Sequence, residues 1–212
     1  MILLLETTYK MSFLDLKFKG AWMMIPLLLL SIIAFYILGD RYFYIKRQKK
    51  VDDTFFVNLT NLVKEGKVEN ALSLCESADC SESRILMKGI KNIGSPIRDI
   101  LEQMEIEGKL ESYKYEGNLS FLGVIAGIAP MLGFIGTISG VIKIFYNISL
   151  ADNISISLIS GGLYEKLITS GVGLMIGIIA YISYHGLNSM INRLVRGWEH
   201  RCVRFVDLIN NK

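Results

Sequence analysis

The sequence predicts an all-α membrane protein, with three transmembrane helices joined to a cytoplasmic helical domain. Three observations carry that reading. The chain holds three long apolar stretches, and ~20 apolar residues suffice to cross ~30 Å of hydrocarbon as a helix. Of its 212 residues, 51% are hydrophobic, and the mean hydropathy of +0.40 exceeds what a water-soluble chain of this size usually carries. The polar stretch between the first two runs repeats its apolar residues at helical spacing, with no strand-like alternation.

Residues 1–20 are expected as an outer, periplasmic segment. No small-residue cleavage site follows the first apolar run, which ends at Asp40-Arg41, so it reads as an uncleaved anchor. The first span covers 21–38, with Trp22 at one end and Tyr42 and Tyr44 at the other, as suits the headgroup level. Pro26 falls in the first turns, where a missing N–H matters least. Arg41, Lys46, Arg47, Lys49 and Lys50 follow, against Lys10, Lys17 and Lys19 on the other flank. By the positive-inside rule the chain enters the cytoplasm after the first span.

Residues 39–117 are expected as the cytoplasmic helical domain, its last helix continuous with the second span. Glu65-Gly66-Lys67 reads as a helix end and Ser95-Pro96 as the start of the next. The second span covers 118–146 and is rich in small residues. Gly123, Gly127, Pro130, Gly133, Thr137 and Gly140 follow at steps of four, three, three, four and three, which is one helical face. The loop 147–153 holds no Lys or Arg, as suits the outer side. The third span, 154–188, exceeds one bilayer crossing at about 1.5 Å per residue, so it tilts or projects beyond the hydrocarbon. Arg193, Arg196, Arg201 and Arg204 in the tail 189–212 return the C-terminus to the cytoplasm.

The net charge of +3 does not argue for nucleic acid. Cys75, Cys80 and Cys202 fit neither a disulfide framework nor a metal site and read as reduced thiols. No nucleophile–base pair, phosphate loop or metal-ligand cluster stands out, so the chain does not read as an enzyme and implies no cofactor. What stands out is packing and one charge. Gly123/Gly127, Gly136/Gly140 and Gly173/Gly177 have the spacing that lets membrane helices approach closely. Any single pair is explained by packing within one chain, and their density in adjacent spans points to a tightly packed oligomer. Glu165 lies inside the third apolar run beside Lys166. A charge in hydrocarbon costs ~3 kcal/mol and usually faces a cavity or a partner. The pair equally suits the outer lipid–water boundary. Thr169 and Ser170 follow one turn later, with Thr137 on the small face of the second span. Such hydroxyls either bridge to water or a carboxylate, or bond back to their own helix.

At these residues the chain resembles the MotA/TolQ/ExbB proton channel family, nearest the ExbB/TolQ branch. Ile125 to Gly140, IAGIAPMLGFIGTISG, is similar to that branch's second-span signature. Gly162 to Ala180, GLYEKLITSGVGLMIGIIA, is similar to its third-span signature, with Lys166, Ser170 and Ile179 as departures. The resemblance implies a homopentamer in the bacterial inner membrane with a central pore. The pore would hold an ExbD/TolR-like one-span protein bearing a membrane aspartate. It implies that Thr137, Glu165, Thr169 and Ser170 line the proton path, with work passing to a TonB-like or TolA-like protein. The competing expectation is a non-conducting scaffold that anchors a partner through its cytoplasmic domain. A sensor or transporter with its own substrate site is disfavoured, because no polar binding cluster lies in the spans.

Overall fold

A computed structural model describes residues 23–47, 51–150 and 156–210 of the chain, without the side chains of 156–158 and 165. The outer segment expected at 1–20, and residues 151–153 of the expected outer loop, lie outside the described residues. The described chain is built of helices: α1 (Met24–Arg47), α2 (Asp53–Lys64), α3 (Val68–Ala78), α4 (Ser81–Lys91), α5 (Ile97–Glu116), α6 (Leu119–Ser149) and α7 (Ile156–Asn210). Three of them, α1, α6 and α7, are long and apolar enough to cross a membrane. By contact the chain divides into two units.

The first unit joins residues 23–38 to 120–184. Its helices hold little polar material, and their exposed faces are apolar: Ile32, Phe35, Met131, Phe134, Met175 and Ile182. Such surface is stable only against lipid or another apolar partner. Packing inside the unit uses the small and medium residues instead. Leu27, Ala34 and Ile37 of α1, Leu122, Ile125 and Ala129 of α6, and Ala180 of α7 are buried.

The second unit joins 39–119 to the C-terminal 185–210. Its short helices begin and end where local chemistry dictates. Asp53 opens α2, a carboxylate in the first turn where the helix dipole favours it. At the other end Gly66 donates to the Val63 carbonyl and Lys67 to the Leu62 carbonyl, 3.1 and 3.0 Å away. This paired closure requires a left-handed residue, and Gly66 supplies it at φ +77°. Cys80 caps α4: its Sγ accepts from the Ser83 N–H at 3.4 Å, and its own N–H donates to Ser83 Oγ at 3.2 Å. The core collects Phe56, Leu59, Cys75, Ile85, Leu86, Ile90, Ile100 and Met104, with Ile191, Trp198 and Phe205 from α7.

One expectation is corrected. The domain's last helix does not run into the second span. It ends at Glu116, because Gly117 takes φ +40° with an extended ψ of −122°, and α6 starts afresh at Leu119. The Arg41 guanidinium occupies the place where a Gly117 Cβ would be, and Arg41 Nη1 donates to the Lys114 carbonyl at 3.0 Å. The continuous element is α7, which carries the third apolar run straight into the basic tail.

Candidate functional site

The expected site residues lie along the antiparallel seam between α6 and α7. The seam is closed by glycine. A Cβ added at Gly173 would lie 2.7 Å from the Ala129 carbonyl oxygen and 3.0 Å from the Gly133 Cα. One added at Gly133 would lie 3.1 Å from the Ser170 Cα and carbonyl oxygen. At Gly177 it would meet the Pro130 ring and the Ala126 carbonyl. These are backbone-to-backbone contacts, which only small residues permit. Further along, the Lys166 side chain crosses the bare surface of Gly140, and Tyr184 packs over Gly123 at ordinary contact distance. Gly136 faces Met23 and the Thr169 methyl, each 3.5 Å from where a Cβ would stand. Gly127 is different: it is exposed, and a Cβ there would meet nothing within 4 Å among the described residues.

The three hydroxyls do not share one environment. Thr169 is buried, 5% exposed, on the side that Gly136 and Met23 close. Ser170 and Thr137 are half-buried. At about 100° per residue in antiparallel helices, Thr137 and Ser170 fall on the same flank of the seam, the one away from Met23. Thr137 Oγ1 donates to the Gly133 carbonyl at 3.0 Å, the bond back to its own helix. The Glu165 side chain lies outside the described part of the structure. By the same rotation its backbone position falls on the Thr169 flank, opposite Ser170.

Strong electrostatics belongs to the second unit. Glu111 is fully buried on α5. Arg84 donates to both its oxygens, from Nε at 2.9 Å and Nη2 at 2.8 Å, and Lys114 donates to one of them. Burial pushes the Glu111 carboxyl up, but hydrogen bonds from Arg84, Lys114 and Ser81 outweigh it and hold the pKa at about 2. Beside it the Ser81 and Tyr115 hydroxyls share a 2.9 Å hydrogen bond, and burial pushes the Tyr115 phenol up to about 12. Arg201 of α7 forms a second junction. Its Nη1 donates to Glu82 at 2.8 Å and to the Val51 carbonyl at 3.0 Å, and Nη2 lies 3.7 Å from Asp53. Burial raises the Glu82 carboxyl above its usual range, against the pull of Arg201. All three cysteines are free, and burial pushes Cys75 and Cys202 up to about 12, so both stay protonated.

Trp198 is a core residue hidden in the basic tail, although its signal is present in the sequence. Leu187, Ile191, Leu194, Trp198 and Phe205 recur at steps of four, three, four and seven, which is one helical face.

Comparison with known proteins adds the following. Residues 77–200 match the profile of the MotA/TolQ/ExbB proton channel family. The chain is 23% identical over 220 residues to the Tol-Pal system protein TolQ of Haemophilus influenzae, covering 97% of this chain and 96% of the relative. It is 28% identical over 186 residues to an ExbB-like biopolymer transport protein of Synechocystis, covering 84% and 71%. Over 75 residues it is 29% identical to the biopolymer transport protein ExbB of Neisseria gonorrhoeae, 35% of this chain and 34% of that one.

Proposed function

We propose, since the chain belongs to the MotA/TolQ/ExbB proton channel family, that it is the channel and scaffold subunit of a motor driven by the proton-motive force. In this reading five copies surround a pore in the bacterial inner membrane, N-terminus periplasmic and C-terminus cytoplasmic. The pore holds an ExbD/TolR-like partner whose membrane aspartate takes up protons. Each proton descending the potential releases ~2.3 kcal/mol per 100 mV, so a few protons suffice for a mechanical step. The work passes to a TonB-like or TolA-like protein and serves outer-membrane transport or envelope maintenance.

The observation that carries this reading is the hydroxyl-bearing flank of the α6–α7 seam. Thr137 and Ser170 stand there half-buried between backbones held rigid by Gly133 and Gly173. Thr137, whose proton goes to the Gly133 carbonyl, offers acceptor lone pairs at a constant place to a water or to a partner's protonated aspartate, and Ser170 offers a donor as well. In this reading Glu165 and Thr169 tune the path from the other flank.

The test is assembly. The full chain is purified in mild detergent alone and after co-expression with a one-span, aspartate-bearing partner, and native mass is measured. A pentamer that takes up the partner supports the motor. A monomer or dimer that ignores it removes the pore and leaves the non-conducting scaffold as the better account.

A further inference from the structure

Glu82 and Glu111 are both buried in the second unit, and they are provided for unequally. Glu111 is met by Arg84 on both oxygens and by Lys114. Glu82, in the first turn of α4, keeps 10% of its side chain exposed. Among the described residues one donor reaches it: Arg201 Nη1, 2.8 Å from Oε1. That guanidinium is shared, since the same Nη1 donates to the Val51 carbonyl and Nη2 lies 3.7 Å from Asp53. A buried carboxylate with one shared donor is costlier as an anion than as an acid.

Every element packed around Glu82 bears on its charge. From α7 come Arg201, the thiol of Cys202, which stays protonated, and Arg193 further along the wall of the cavity that Glu82 lines. Asp53 comes from α2 and Asp52 from just before it, Lys46 from α1, and the neutral phenol of Tyr115 from α5. Burial is the largest influence and favours the acid, as does Asp53; Arg201 and the positive end of α4 favour the anion. Burial prevails, and the carboxyl stands above its usual range. The cavity, about 740 Å³, is roomy and polar enough to admit water, so a proton has a route to the group. A carboxyl that binds its proton more readily folded than unfolded adds stability below the unfolded value of 4.5, and that contribution is lost as pH rises through the folded one. Glu111 is linked to folding in the opposite sense.

We propose that the Glu82–Arg201 junction is a pH-responsive clasp on the α7 tail, which docks with uptake of one proton by Glu82 from water. Acid tightens the clasp and alkali loosens it. On docking, Glu82 gains an O–H bond and loses its charge, while Arg201 keeps its hydrogen bonds to the Val51 carbonyl and to the C=O oxygen of the carboxyl. When the tail leaves, Glu82 returns to water and gives the proton up. The clasp depends on the packing of the second unit alone, and it stands or falls independently of proton conduction.

The experiment is a urea titration of the full chain in detergent, read by Trp198, which is 7% exposed and lies one turn before Arg201. A Trp22→Phe background leaves Trp198 as the only tryptophan. Urea midpoints of its emission are taken from pH about 8 to about 5, where Glu111 stays ionised. Measured against Glu82→Gln in the same background, the midpoint of the Glu82 protein is expected to gain with each step down in pH. His185 and His200 are common to both proteins, so their titration cancels in the difference. A difference that stays constant with pH overturns the proposal. So does one that moves the other way, which marks Glu82 as an ordinary ion-paired carboxylate. If Glu82→Gln does not fold, Asp53→Asn decides. It removes a charge that favours the acid, so the pH at which the midpoint rises is expected to move down. A rise that stays in place, or moves up, overturns the clasp.

Discussion

Thr137, Thr169 and Ser170 lie within one seam, yet their burial separates what each does. Thr169 is enclosed by Gly136 and Met23, so a larger side chain has nowhere to go. Thr169→Leu is expected to destabilise the purified protein by about 1–3 kcal/mol, read as an earlier melt in detergent. Thr137→Ala and Ser170→Ala remove half-buried hydroxyls and are expected to change the melt by less than about 1 kcal/mol, so any functional loss is attributable to the hydroxyl. Glu111 makes a different prediction. Its pKa in the folded protein, about 2, is below the unfolded value of 4.5. A depressed carboxylate stabilises fully above the unfolded pKa, and that stability is lost as pH falls toward the folded one. Between pH ~5 and ~2 wild type should lose about 3 kcal/mol more than Glu111→Gln does, and Glu111→Gln should be the weaker of the two at neutral pH. A denaturation series against pH checks both, and parallel acid profiles would contradict the role of Glu111.

Among the elements, the α6–α7 seam gives the strictest test. Gly173→Leu drives a side chain into the Ala129 carbonyl and the Gly133 backbone, neither of which turns aside. Loss of the folded protein from detergent extracts is the expected result. An added Cβ at Gly127 meets nothing within 4 Å among the described residues, so Gly127→Leu should leave the monomer's melt unchanged while lowering the native mass if another copy packs there. How far the elements were legible depended on the signal. Gly66 between Glu65 and Lys67 marked a helix end because only glycine takes its positive φ cheaply. Gly117 marked one equally well and was read through, since an isolated glycine inside an apolar pattern looks like a packing residue. The arginines of the tail dominate its composition and hide Ile191, Trp198 and Phe205, which place it in the core of the second unit.

For the whole molecule, the three spans were legible because apolar runs of that length have few other uses, and the family was legible because the small-residue pattern of α6 and α7 is dense and specific. The flank that each hydroxyl occupies was not legible. Thr169 and Ser170 are adjacent in sequence, and about 100° of helix rotation puts one inside the packing and the other at its edge. The division of the chain into 39–119 with 185–210, apart from 23–38 with 120–184, was likewise hidden, because it joins segments distant in sequence. The measurement that tests the central claim most directly is proton flux into liposomes holding the chain together with its one-span partner, under an imposed potential. Flux carried by the wild type, and lost in Thr137→Ala with the complex still assembled, is the predicted result. Flux that is absent from the wild-type complex, or unchanged in Thr137→Ala, would contradict the account.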